Sequence, residues 1–217
     1  MISRACAILL TLLPATGWAQ HELSVYGGIQ GALSSDMDGR DVNGQPLSFD
    51  VDWEGRSLDM PPYYGLRYTW WRRPQWGLTL DFTHVKLYAD DASLDRSGFE
   101  TLEFTDGLNV ATIGATRRFD PVSGVVPHAG FGVGFVYPHV ETRSPQSQDR
   151  TYEYQFGGLA AAARFGVTYP LSDHWHLFGE YEANYVRLDV DMNGGGSLRS
   201  DIVTNALNLG LTWRFGP

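Results

Sequence analysis

Near the end of the chain Leu207, Leu209, Leu211, Trp213 and Phe215 alternate with Ala206, Asn208, Gly210, Thr212 and Arg214. A period of two describes an extended strand with one apolar and one polar or small face. Such a strand has two ways to satisfy its apolar face. A second sheet covers it, as in a secreted sandwich, or the sheet closes on itself and hydrocarbon solvates the leucines.

Segments of this kind, each near the roughly 9 to 11 residues that cross a bilayer at a tilt, recur eight times, at 22–33, 62–73, 76–88, 107–119, 126–137, 154–169, 175–188 and 202–215. Their connections alternate in length. "PQ" after Arg73, "DPVSGV" after Phe119 and "PLSDH" after Tyr169 are short and built of turn-forming residues, whereas the other four are long and polar. An up-and-down meander with tight turns at one end and long loops at the other has the asymmetry of an outer-membrane barrel. An open edge cannot be satisfied in hydrocarbon, so the sheet must close. The expected fold is an all-β, eight-stranded up-and-down antiparallel transmembrane β-barrel spanning 20–217.

The first 19 residues read as a secretory signal. Arg4 is followed by the apolar "ACAILLTLL" and by a small-residue cleavage site ending at Ala19. The only cysteine, Cys6, lies in that segment, so the exported chain is expected to have neither disulfides nor thiolate chemistry. A net charge of -9 and the lack of Lys/Arg clusters argue against nucleic acid. Most of the acidic residues fall in the long connections. Trp70, Trp71, Trp76, Trp175 and Trp213 lie at the short-turn end, and Tyr64, Tyr88, Tyr137 and Tyr185 towards the other. Two aromatic bands a strand length apart suit the two headgroup levels of a bilayer, and bacterial outer membrane is the expected location.

Projecting the inward parity places Glu22, Tyr26, Arg67, Asp81, Arg164, Glu180, Glu182 and Arg214 inside an eight-stranded cylinder that side chains can fill, which disfavours an open pore. Glu180 and Glu182 would serve as an acid/base pair or, as expected here, as carboxylates paired with Arg67, Arg164 or Arg214 in a barrel-interior network. "GFGVG", 130–134, lies within a strand without a following helix, so its glycines are read as internal space rather than a phosphate cradle. His128 and His139 share one hairpin arm but stand roughly 25 Å apart along the membrane normal, too far to share a metal. His84 and His139 fall at the long-loop rim, near Asp90, Glu103, Asp106 and Glu153. They read either as a His/carboxylate metal site or as unrelated rim histidines.

The stretches "MPPYYGLRYTWW" (60–71), "LEFTDGLN" (102–109), "YEYQ" (152–155) and "DIVTNALNLG" (201–210) resemble the lipid A oxidase family of bacterial outer membranes. The resemblance implies an enzyme that uses oxygen to convert the proximal glucosamine of lipid A to 2-aminogluconate, with release of hydrogen peroxide. It supplies no catalytic residues. Lipid A occupies the outer leaflet, so the expected site draws on loop-side groups. His84, Glu103, Asp106 and His139 are the catalytic candidates, with one of the bases taking the anomeric hydroxyl proton. Glu54, Arg56, Lys86, Glu153 and Asp201 are the substrate-binding candidates, with Arg56 or Lys86 placed to hold a phosphate or alkoxide. Oxygen is a poor direct hydride acceptor, so a divalent or redox metal at His84 and His139 is the expected aid; no NAD or flavin motif is present. The expected partner is lipopolysaccharide, and the chain is read as a monomer. The competing expectation is a non-enzymatic structural or adhesive barrel whose acidic loops bind cations.

Overall fold

A computed structural model describes residues 20–144 and 149–216; the expected signal segment lies outside the described residues. In chain order the elements are β1 (Gln20–Ala32), β2 (Ser35–Arg40), β3 (Pro46–Val51), β4 (Trp53–Glu54), β5 (Tyr64–Arg73), β6 (Trp76–His84), β7 (Leu87–Ala89), α1 (Asp91–Ser97), β8 (Thr101–Phe104), β9 (Val110–Arg118), β10 (Val126–Val136), β11 (His139–Arg143), β12 (Arg150–Tyr154), β13 (Gly158–Pro170), β14 (Trp175–Met192) and β15 (Gly196–Phe215). β1, β5, β6, β9, β10, β13, β14 and β15 pair in that order, all antiparallel. β15 returns to β1, with Glu22 opposite Arg214 and Gly31 opposite Asn205, so the sheet is a closed eight-stranded barrel.

The side chains sort as the parity requires. Ile29, Leu159 and Leu207 are 74%, 67% and 68% exposed on the outer wall, while Arg67, Asp81, Arg164, Glu180 and Glu182 are buried within. In "GFGVG" Phe131 and Val133 point out and the glycines line the interior. Gly65 shows what such a glycine permits: a Cβ there would fall 2.0 Å from the Tyr26 ring, which passes over β5 to hydrogen-bond Asp81 of β6 at 2.9 Å. Among the described residues no second sheet covers the exposed leucines of the barrel wall, so their solvent is hydrocarbon.

Along β14 the parity holds but its chemistry changes. His176, Glu180, Glu182 and Asn184 face inward below Tyr185; above it the inward residues are Val186, Leu188, Val190 and Met192, and the outward ones Arg187, Asp189 and Asp191. This is the level at which the hairpin leaves lipid and enters water.

Above that level the long connections are not the polar loops expected from sequence. β2 and β3 form a hairpin that continues β15, and β12, β11, β8, β7 and β4 form a second sheet. Phe104, Leu102, Leu87, Met37, Leu188 and Leu198 are fully enclosed in this cap. Each such side chain contributes about 1.5–3 kcal/mol of burial. α1 is capped by the Asp90 carboxylate, which accepts from the Ser93 amide, and ends at Gly98 with φ 73°.

The cap also moves the strand ends. The segment expected at 76–88 divides at His84, because Leu87–Ala89 pairs with β4 and β8 instead. Two aromatic placements change too. Tyr88 belongs to the cap sheet rather than the bilayer rim, and Trp71 points into the barrel mouth, where its indole donates to Glu22 at 2.7 Å.

Candidate rim site

His84 ends β6 directly opposite Tyr64, and the two rings stack with centroids 5.0 Å apart. Its Nδ1 lies 2.9 Å from Asn109 Oδ1. The Asn109 amide nitrogen is committed to the carbonyls of Asp106 (3.3 Å) and Gly107 (3.2 Å), which fixes Oδ1 as the atom facing the imidazole. Oδ1 can only accept, so Nδ1 carries the proton and Nε2 keeps a lone pair. Nε2 has no partner among the described residues. Gly107, with φ 100°, is required here because a Cβ would fall 2.3 Å from His84 Nδ1.

Asp106, from the same turn, places Oδ2 3.7 Å from Nδ1 of His139. β11 and β12 bring His139 opposite Tyr154, whose hydroxyl donates to the Asp106 carbonyl at 3.1 Å. Burial, then the nearby Asp106 charge, pushes the Tyr154 phenol above its ordinary value, so it remains a donor. Tyr152 meets the His139 ring edge-on at 4.5 Å. Below these groups opens a groove of about 590 Å³ on the outer surface of the barrel. Phe82, Ala111, Phe135 and Tyr137 form its lipid-facing wall; His84, Asp106, Asn109 and Tyr154 form its polar upper end.

The structure thus brings His84, Asp106 and His139 to one place. Glu103 belongs to a second group on the cap sheet, where Glu54, Tyr88, Glu103 and Glu141 stand in one cross-strand row. There Arg56 donates to Glu54 at 2.8 and 2.9 Å, a pairing that raises the Arg56 pKa, and its guanidinium lies over the Tyr88 ring at 4.4 Å. Lys86 is fully buried and donates to the Asp59 carbonyl at 2.9 Å, so it cannot reach a surface phosphate without opening the fold. Glu153 pairs with Val140, on the opposite parity from His139 and Tyr154. Asp201 pairs with Arg187 on the β14–β15 side, beside a different cavity lined by Asp36, Asp38 and Arg199. Sequence reasoning passed over Asn109 and Tyr154, although both lie in segments that carry the lipid A oxidase resemblance. Among the described residues no three His, Cys, Asp or Glu side chains converge as metal ligands.

Inside the barrel Arg67 gathers Glu180 (2.6 and 2.8 Å), Asp81 (2.9 and 3.0 Å) and Glu182 (3.2 Å), while Arg164 pairs with Asp81. Glu180 and Glu182 are therefore enclosed partners of one guanidinium. Arg214 does not join them. Its register is with Glu22 at the short-turn end, where it bonds that carboxylate at 3.0 Å, while Glu180 lies level with Asn208.

Among solved structures the chain is similar to outer membrane protein AlkL, determined in lipid bilayers, with a TM-score of 0.55 and 13% identity over 100% of this chain and 98% of that one. It is similar to neisserial surface protein A, with a TM-score of 0.52 and 14% identity over 90% of this chain and 97% of the other. It is also similar to the outer membrane protease OmpT of Escherichia coli, with a TM-score of 0.50 and 9% identity over 91% and 97%. At these identities the likeness is one of fold. No curated protein matches the sequence. The model of the outer membrane protein beta-barrel domain matches residues 2–215, and with the closed barrel and its lipid-facing wall this shows that the chain belongs to that bacterial outer-membrane family.

Proposed function

We propose that this barrel modifies lipid A at the rim groove, by oxygen-dependent oxidation of the proximal glucosamine to 2-aminogluconate. One observation carries the reading. Segments distant in sequence that carry the lipid A oxidase resemblance contribute to a single groove: Pro61 and Tyr64, Asp106 and Asn109, and Tyr154. Its apolar wall suits acyl chains, and its polar end stands where an outer-leaflet sugar would lie.

In this reading His84 Nε2, enclosed until a sugar enters the groove, takes the proton of the anomeric hydroxyl. Across the reaction C1 loses two electrons and its hydrogen, dioxygen is reduced to hydrogen peroxide, and water opens the resulting lactone. The net change is one added oxygen. Among the described residues no three such donors converge, so no step is assigned to a metal. Lipid A mass spectra from cells expressing the wild type should show the extra oxygen only under aeration. His84→Ala should lower conversion by about 10²–10⁴-fold, the range for a general base. An unchanged aerobic lipid profile with folded wild type overturns the oxidase.

A structural, cation-binding role is the second reading. It is favoured by Asp36 and Asp50, which face each other across the β2–β3 hairpin, where the neighbouring Asp50 carboxyl raises the Asp36 pKa. Asp52 and Asp201 line the same shallow cavity, although Arg96 also enters it. Calcium raising the unfolding midpoint of the cap, with no lipid modified, would support this role over the enzymatic one.

A further inference from the structure

At the short-turn end, away from the rim groove, the barrel encloses a cavity of about 180 Å³ walled by Arg118, Arg214, His176, Trp71, Glu22 and His128. In an outer-membrane barrel this end faces the periplasm. Two guanidiniums share one carboxylate there. Arg214 bonds Glu22 Oε1 at 3.0 Å and Arg118 bonds the same oxygen, while Glu22 Oε2 accepts the Trp71 indole at 2.7 Å. Glu22 therefore accepts from three donors, and the two guanidiniums leave the cluster one unbalanced positive charge. Each guanidinium has five N–H groups, and the bonds to Glu22 and, from Arg118, to Gln20 at 3.0 Å leave some of them unused. His176, 4% exposed, lines the same cavity with its Nδ1 unpartnered among the described residues.

We infer that this vestibule binds a small oxyanion of the carboxylate or phosphate class, held by Arg118, Arg214 and His176. The charges above it set the depth. Asp81, Glu180 and Glu182 outnumber Arg67 and Arg164, and His128 approaches Glu180 at 3.2 Å, so an anion is stopped at the mouth rather than passed through the barrel. A cation is disfavoured because two guanidiniums outweigh the single carboxylate that lines this cavity. The inference is independent of the chemistry proposed at the rim.

The test uses the full folded chain in detergent micelles, titrated separately with sodium phosphate and sodium acetate against sodium chloride at matched ionic strength. The readout is the indole N–H resonance of Trp71, which Arg118 covers at 3.5 Å. A saturable shift with phosphate or acetate, absent with chloride, is expected. Arg214→Gln should weaken binding about tenfold or more, from the loss of a charge-assisted contact. His176→Phe should weaken it as well while leaving the Arg–Glu22 pairs in place, so it serves if Arg214→Gln fails to fold. A wild type with no saturable shift, or the same shift with sodium chloride as with phosphate and acetate, overturns the site.

Discussion

In the lower half of the β14–β15 hairpin Glu180, Glu182 and Asn208 are enclosed, and Leu207 and Leu209 point away from the protein; a few residues further along Leu188, Val190 and Leu198 are enclosed, and Asp189, Asp191 and Arg199 point away. The backbone does not change: register runs unbroken from Trp175↔Trp213 to Met192↔Gly196. What changes is the solvent. In hydrocarbon the outer face must be apolar and charges gather within, where they must neutralise one another. In water the cap reverts to an apolar core with a charged exterior. The comparison teaches that enclosed position alone does not specify residue type.

Removing Arg67 should have the largest effect. Arg67→Met leaves Asp81, Glu180 and Glu182 with only Arg164 and His128 nearby, and breaking a buried ionic cluster costs about 3–5 kcal/mol. Urea unfolding in lipid vesicles should show that loss as a drop in global stability. A loss below about 1 kcal/mol would mean that water screens the charges and that the interior is not held by pairing.

The corresponding change in the cap is Leu102→Ala. Leu102 is 1% exposed in the cap core, so truncation should cost roughly 3 kcal/mol, within the usual range for buried leucine. Hydrogen exchange should quicken in β4, β7, β8, β11 and β12 while the barrel's unfolding midpoint holds. A matching fall in that midpoint would show that cap and barrel are one cooperative unit rather than two differently built bodies.

The barrel was legible because period two, repeated over long segments, specifies both faces at once, and turn residues mark the short ends. The cap was not, because β4 has two residues and β7 three, too few for any period to show. Its apolar residues, such as Leu102 and Phe104, were hidden among the acids that made the connections look like plain loops, and Leu87 was read as the end of a barrel strand. Arg214 was placed on the correct face but at the wrong height for Glu180, since pairing along a barrel depends on register that one strand cannot reveal. At the rim, His84, Asp106 and His139 could be grouped by their nearness to strand ends. Asn109, which sets the His84 tautomer, has no signature in sequence, because its role arises from a turn geometry at Asp106 and Gly107.

The smallest effect should come from the polar face of the cap, where Glu103 faces Tyr88 and Glu141 across the strands. Burial pushes its carboxyl above the ordinary value, only partly opposed by Arg56, Arg150 and Lys86. A raised folded pKa means that the folded cap holds the proton more tightly than the unfolded chain does. Stability is then unaffected below the ordinary carboxylate pKa, is lost as pH rises from there through the raised value, and stays lost at neutral pH. Glu103→Gln removes this pH dependence, so the variant's cap should be the more resistant to urea at pH 7, with the difference closing towards pH 4. The indole N–H of Trp53, bonded to Ser35 at 2.9 Å inside the cap, reports that opening without interference from the barrel. Equal resistance at pH 7 would mean that the three cations fully offset burial at Glu103.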